Sequence, residues 1–425
     1  MAITSVLMMT THSFFNAALS RLPSPQIYIS AFAVAKSLMH IFESPIMMIR
    51  QAVSTLVHNA ESYFRVRKFF IILTILTVAI LGITAFTGVS EWIYRNIIGV
   101  KGRVLEEAMT ILIIFTFFPA AAALRNFMQG VAVILNRTLL FSFATTGRLL
   151  YVLLLIFLVE KLTFLPGAVF AGLMFFTAVA LEGIIIFTGV KLTEKNIPEK
   201  IENMKEKNIH SQNQMTQIYI FKFFWPLIIT SIIHMAAMPM VNMGLARSIT
   251  PEIAISSFAV AWSLGLFFLS PGFMYHQLII NYYNNNKANK KSLKKFGLYM
   301  GLIIAGTLGL VSFSNIGIYI LRNWIGATKT ISILAIDVLK LMILLTPIIL
   351  GREFYWGILM KKNKTRYVSK AKIVNIIGLV SSIIVLLIIK PHNSAIIGAL
   401  AFITAEGMEV IYLNYIVNKE IYKTS

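Results

Sequence analysis

The strongest constraint in this sequence is that it contains its opening segment twice. Sliding residues 3–51 forward by 226 positions onto 229–277 gives 22 identities in 49 positions, among them Asn16 with Asn242, Arg21 with Arg247, Ala33 with Ala259 and Pro45 with Pro271. The register survives downstream, where Arg95-Asn96-x-Ile98-Gly99 returns as Arg322-Asn323-x-Ile325-Gly326 and Arg125-x-Phe127-x-x-Gly130 as Arg352-x-Phe354-x-x-Gly357. Such a chain folds as two related halves. In an apolar chain, related halves point to a transporter whose substrate site lies where they meet.

Apolar residues make up 57% of the chain and charged residues 13%, with a mean hydropathy of +0.78, which leaves too little polar surface for water. The class is therefore a polytopic membrane protein. Crossing about 30 Å of hydrocarbon takes about 20 apolar residues. The sequence offers twelve such runs, near 1–22, 25–57, 69–92, 104–133, 139–160, 166–190, 222–246, 251–282, 296–321, 330–360, 370–390 and 394–417. Runs of this length are helices, since barrel strands are about ten residues long and alternate in polarity.

The formal net charge of +21 is a topology signal. Assigning alternate loops to opposite sides puts 23 basic residues on one side, 9 on the other and 6 inside spans. The rich side holds 65–68, 191–222, 287–295, 361–372 and the tail lysines Lys419 and Lys423. By the positive-inside rule it is cytoplasmic, which places both termini inside a plasma (inner) membrane protein. The excess charge adds attraction to anionic headgroups, and nucleic acid is not expected as a partner. An even number of spans per repeat gives both halves the same orientation. The expected architecture is all-α: two six-helix bundles, 1–190 and 222–417, related by a pseudo-two-fold axis along the membrane normal. A cytoplasmic linker, 191–221, joins them, 418–425 forms a tail, and a monomer is expected.

The six intramembrane cations are Lys36, Arg50, Arg125, Arg148, Lys340 and Arg352. Each costs roughly 2.5–3.5 kcal/mol at mid-helix, so each should face protein or a wet cavity. Counting from the span ends places Lys36, Arg148 and Lys340 near the midplane, with His12, His40 and His234 at similar depth. Lys36, His40 and Glu43 share one helical face at i, i+4 and i+7. That face is either a substrate or proton site, with Glu43 or His40 changing protonation, or an internal salt bridge. Their repeat counterparts, Trp262, Leu266 and Leu269, favour function, because an architectural feature would appear in both halves. Glu182-Gly183 and Glu406-Gly407 read as a repeat-related pair on spans 6 and 12, where a carboxylate can pair with a buried arginine such as Arg148. Asp337 and Lys340, three apart, can neutralise each other. Asn16 and Asn242 can hydrogen-bond between helices. The expected substrate residues are Lys36, His40, Arg148, His12, Asn16, His234, Asn242 and Lys340. The expected coupling residues are Glu43, His40, Asp337, Glu182 and Glu406. Arg125 and Arg352 read as structural or gating residues near the cytoplasmic face, and Pro45 and Pro271 as matched kinks.

Enzyme chemistry is not indicated. The sequence has no GxxxxGK[ST] for ATP, no cysteine and no HExxH, so no metal or cofactor is expected, and H+ or Na+ remain as coupling ions. The start has no basic n-region or early cleavage site, so span 1 should persist in the mature protein. Met1 aligns with Leu227, which follows an aromatic lead-in, 221–226; the native chain is expected to begin upstream, or span 1 to be short and weakly anchored.

Six plus six spans, the strings Phe224-Trp225-Pro226-Leu227 and Pro239-x-Val241-Asn242, and the Arg125-x4-Gly130 exit from span 4 resemble the multidrug/oligosaccharidyl-lipid/polysaccharide (MOP) exporter superfamily. Ile97-Ile98-Gly99-Val100 and Phe117-Phe118-Pro119 make the progressive ankylosis (ANK) branch the closest in appearance. The resemblance implies a MATE-like fold and secondary active export by rocking of two lobes. ANK proteins are associated with release of small anions such as citrate, nucleotides and pyrophosphate. Cation-extruding relatives use cavity carboxylates, often one in span 1, and span 1 here has no Asp or Glu. The leading expectation is an exporter of small organic or phosphate-bearing anions through a central basic cleft. The alternatives are MATE-type efflux of cationic drugs coupled to H+ or Na+, flipping of a lipid-linked oligosaccharide, and a non-transporting membrane scaffold.

Overall fold

The computed structural model describes residues 2–161, 164–203, 216–284, 287–362 and 364–422. Met1, Lys423 and the centre of the predicted linker, 204–215, lie outside them. Among the described residues every regular element is helical. In chain order the main helices are α1 (Ala2–Leu19), α2 (Pro25–Met47), α3 (Ile49–Leu56), α4 (Ala60–Phe86), α5 (Gly102–Phe115), α6 (Phe118–Ile134), α7 (Leu139–Leu158), α8 (Gly167–Thr193), α9 (Gln217–Met235), α10 (Ala237–Ala246), α11 (Pro251–Leu269), α12 (Tyr275–Tyr282), α13 (Lys287–Phe313), α14 (Lys329–Lys361), α15 (Thr365–Ile389) and α16 (Ile396–Val417). Counting α2 with α3 and α9 with α10, ten spans are long and apolar enough to cross a bilayer, and the bent pair α5–α6 makes eleven. Ahead of them lies α1, an 18-residue helix where the sequence places the first of its twelve spans.

Local chemistry explains the breaks. The α5–α6 span bends by 47° just ahead of Pro119, which occupies the first turn of α6. Pro347, by contrast, lies inside an unbroken α14. The repeated prolines both precede an interruption: Pro45 stands near the end of α2, before α3 restarts, and Pro271 falls between α11 and α12. The basic runs 65–68 and 287–295, expected in loops, are helical. At α4 a capping box between Asn59 and Ser62 starts the helix well before the apolar run, so Arg65, Arg67 and Lys68 ride on its first turns.

The chain divides into two compact units that do not follow the sequence halves: 1–34, 94–105 and 237–425 form one, and 35–93 and 106–236 the other. The smaller unit is organised around Phe115, Phe118 and Phe175, with the last two stacked 4.9 Å apart. There α3 crosses α6 at Gly130, where a Cβ would come within 2.6 Å of Val53 and 3.0 Å of the Arg50 carbonyl oxygen. The larger unit repeats that crossing between α12 and α14 at Gly357, against Ile279 and the His276 carbonyl. Identical steric demands at Gly130 and Gly357 show that the duplication is structural as well as textual.

Candidate functional site

In the smaller unit, α2, α6, α7 and α8 each deliver a charge to one buried group. Glu182 on α8 accepts from Arg148 Nη1 at 2.7 Å, from Arg125 Nη1 at 3.5 Å and, through its other oxygen, from Thr145 Oγ1 at 3.2 Å. Glu182, Arg125 and Arg148 are all buried. The charges acting on Lys36 include Glu43 and Arg148. Lys36 Nζ stands 5.2 Å from the centre of the Phe175 ring, and His40 meets the same ring edge-on at 6.3 Å. His40 Nδ1 pairs with the buried Glu43 carboxylate at 2.8 Å. The predicted residues Lys36, His40, Glu43, Arg125, Arg148 and Glu182 therefore share one unit, with Lys36 and His40 against the Phe175 ring and three lysine or arginine side chains against two carboxylates. Nearby, Arg50 Nη1 reaches Gln129 at 3.5 Å. Asn126 donates to the Ile46 carbonyl, capping the α2 break that follows Pro45.

The larger unit builds a cluster at the equivalent positions with the opposite balance. Arg352 donates to Glu406 at 2.6 Å and, through Nε and Nη2, to Glu353 at 3.1 and 2.6 Å. Lys372 donates to Glu409 at 2.8 Å and lies 3.9 Å from Glu406. Asn375 bonds both Glu406 and Glu409, Trp356 Nε1 donates to Glu409, and His276 Nδ1 pairs closely with Glu353. Here two permanent cations face three buried carboxylates.

The register of 227 that equates Arg125 with Arg352 also equates Asn126 with Glu353, Thr145 with Lys372, Arg148 with Asn375 and Phe175 with Phe402. In that register Glu182 meets Glu409, and Glu406 takes the place of Val179. Glu182 and Glu406, each before a glycine, are therefore not the repeat equivalents expected from the sequence but stand one turn apart in the shared register. At the Lys36 position Trp262 stacks on Phe402 at 4.2 Å, so an aromatic pair replaces a cation over a ring.

Sequence reasoning missed Glu353, Glu409, Lys372, Asn375 and His276. Lys372 was counted in a basic loop, although it is buried in α15. A signal existed for the acids, since Glu353 adjoins Arg352 and Glu409 follows Glu406 by one turn.

Asn16 and Asn242 belong to a different device. Within the larger unit Asn16 donates to Ser263 at 2.8 Å and to the Ala259 carbonyl at 3.1 Å, and Asn242 donates to the Ala33 carbonyl at 3.2 Å, the same position of the other repeat. One turn further along, Arg21 Nη1 and Nη2 donate to the Ile325 and Trp324 carbonyls. Arg247 likewise donates to Ile98 and Ile97, both at 2.7 Å, and to Asn96 at 3.3 Å. The acceptors lie on or beside wide π-helical turns, Ile93–Ile98 and Ile320–Trp324, which release carbonyls. Each turn ends at a glycine with positive φ, 92° at Gly99 and 79° at Gly326. The repeated Arg-Asn-x-Ile-Gly string thus makes a receptor for the arginine of the other half. His12 is half-buried beside Phe15, and His234 is exposed on α9. Lys340 and Asp337 pair with each other at 3.2 Å while staying well exposed, with Asn393 on the second Asp337 oxygen.

No family model matches the sequence, and no curated protein matches it. Solved structures match its fold along nearly the whole chain. An inward-facing multidrug resistance MATE family transporter of the MOP superfamily superposes with a TM-score of 0.74 at 13% identity, covering 100% of this chain and 99% of that one. Lipid II flippase MurJ, in an inward closed conformation, gives 0.72 at 14% identity over 98% of this chain and 87% of its own. A MOP superfamily transporter from Pyrococcus furiosus, in which reverse polarity of the binding pocket suggests a different function, gives 0.55 at 13% identity over 99% and 94%. The protein has the all-α, MATE-like polytopic membrane fold.

Proposed function

We propose that this protein is a secondary active transporter that exports small organic or phosphate-bearing anions by alternating access, as the resemblance to the ANK branch implies. The observation that carries the reading is the excess of positive charge in the smaller unit, where the buried Arg125 and Arg148 together with the half-buried Lys36 outnumber the buried Glu43 and Glu182. An anion arriving there supplies the missing negative charge in a low-dielectric setting, where the gain is larger than in water. Lys36 and Arg148 act as substrate counter-charges. The His40–Glu43 pair, an imidazole in direct contact with a buried carboxylate on the same helical face as Lys36, takes the coupling proton. Span 1 has no Asp or Glu, which speaks against cationic drugs. On this reading the chain is not an enzyme. The moving bodies are the bundles 1–190 and 222–417, with both termini on the cytoplasmic side of the plasma membrane.

The likeness to a lipid II flippase favours one second reading, translocation of a lipid-linked, phosphate-bearing glycan. Counterflow in proteoliposomes with labelled citrate, ATP and pyrophosphate separates the two. Saturable uptake in wild type that is lost in Lys36→Gln and in Arg148→Gln supports the anion exporter. Absence of uptake of all three anions, with binding of a lipid-linked sugar diphosphate that needs Lys36, moves the assignment to the flippase. Uptake unaffected by either substitution would sink the proposed site.

A further inference from the structure

Two grooves on the helix surfaces occupy the same place in the two repeats. One, of about 420 Å³, runs between α4 and α6. The other, of about 390 Å³, runs between α13 and α14. In the register of 227, Arg67, Ile71, Ile75, Ala123 and Phe127 of the first become Lys294, Leu298, Leu302, Leu350 and Phe354 of the second, and all ten line their grooves. The walls are almost wholly apolar, and Ile71, Ile75, Leu298 and Leu302 are exposed, so each groove opens on the face that meets hydrocarbon. A single end of each is basic. Arg67 and Lys191 stand at the first, and Lys294 at the second, with Nζ of Lys191 and Lys294 lying 4.5 and 5.6 Å over the rings of Phe187 and Phe354. Their stems follow the apolar wall while their charges reach the interface. Among the described residues no carboxylate lines either groove.

We infer that each groove holds one anionic glycerophospholipid, with an acyl chain along α4 or α13 and its phosphate on Arg67 and Lys191 in the first and on Lys294 in the second. A zwitterionic lipid fills the same slot but brings its own cation to the basic end, so charge selects the anionic headgroup. The first site, with two cations, binds more tightly than the second. The inference is independent of which substrate the protein moves.

Native mass spectrometry of the purified full chain, titrated with phosphatidylglycerol or phosphatidylcholine of matched tails, tests it. Wild type should retain two phosphatidylglycerol molecules at levels where phosphatidylcholine is lost. The pair Arg67→Gln with Lys191→Gln should lose one, Lys294→Gln the other, and the triple variant both. These residues are exposed, so the folded chain should survive the changes, which thermal unfolding in phosphatidylcholine micelles verifies. Ala120→Trp and Ala305→Trp fill the grooves without altering charge, and each should expel one lipid. Equal retention of the two lipids, or unchanged retention in the charge variants, overturns the inference.

Discussion

The buried clusters around Arg125 and Arg352 stand on the same scaffold and carry opposite charge. Both place an arginine from α6 or α14 opposite a glutamate from α8 or α16, next to a glycine-mediated helix crossing. Between them the changes Asn126 to Glu353, Val179 to Glu406 and Arg148 to Asn375 turn a cation-rich group into an acid-rich one. Duplication preserved the positions and left the side chains free to diverge, so repeat-related sites need not share a task. In the first cluster one carboxylate serves two guanidiniums. In the second each cation has more than one acid within reach, so that group is over-determined.

That contrast sets the largest expected effect. Glu182→Gln removes the carboxylate that both Arg125 and Arg148 bond and should cost about 3–5 kcal/mol of stability. Glu406→Gln should cost much less, since Arg352 keeps Glu353 as a bidentate partner. Chemical unfolding of both variants in the same micelle measures the difference. Equal losses would show that the second cluster has no redundancy. Adding Asn126→Glu, which installs the partner that Glu353 provides in the other repeat, should return part of the stability lost in Glu182→Gln.

Much of this was legible in the sequence, and particular residues show where legibility stopped. Lys36, His40 and Glu43 announced themselves because helical spacing fixes a shared face, and Arg148 with Glu182 because a charge in a span needs a partner. Lys372 was hidden because it stands at the very start of the 370–390 run and closes the basic segment 361–372, so it counts as loop in the charge tally while packing draws it inward. Asn375 was hidden because a neutral amide gives no charge signal. The break into two compact units at Val34 and Ala35 was also invisible, because α2 is one continuous helix through that point. The Arg-Asn-x-Ile-Gly repeat was read as register alone, since nothing local says that its carbonyls receive an arginine more than a hundred residues away.

The interlocks built on that repeat provide the opposite comparison, two places where the halves stayed alike. Gly99 and Gly326 hold φ values of 92° and 79°, which cost an L-residue roughly 1–2 kcal/mol. Gly99→Ala and Gly326→Ala should each lower stability by about that much. Gly99→Ala should be the worse, because its Cβ would sit 3.2 Å from the Arg247 guanidinium, against 3.5 Å between Gly326 and Arg21. Thermal unfolding of the two variants side by side checks the order. Matching losses would mean that only the backbone conformation matters at these turns.

The arginines themselves should have the smallest effect. Solvent reaches both, so Arg21→Gln should cost about 1 kcal/mol or less, the net worth of an exposed hydrogen-bonded group. Arg247 donates to three carbonyls of the opposite turn where Arg21 donates to two, and its contacts at 2.7 Å are shorter than those of Arg21 at 3.2 and 3.3 Å. Arg247→Gln should therefore be the more destabilising. Since each arginine grips the other repeat's turn, the double variant should lose the sum of the two, because the acceptor turns share no residue. A loss well beyond the sum would mean that the two turns open together as one closure, and hydrogen exchange at 93–100 and 320–327 would then accelerate in both single variants.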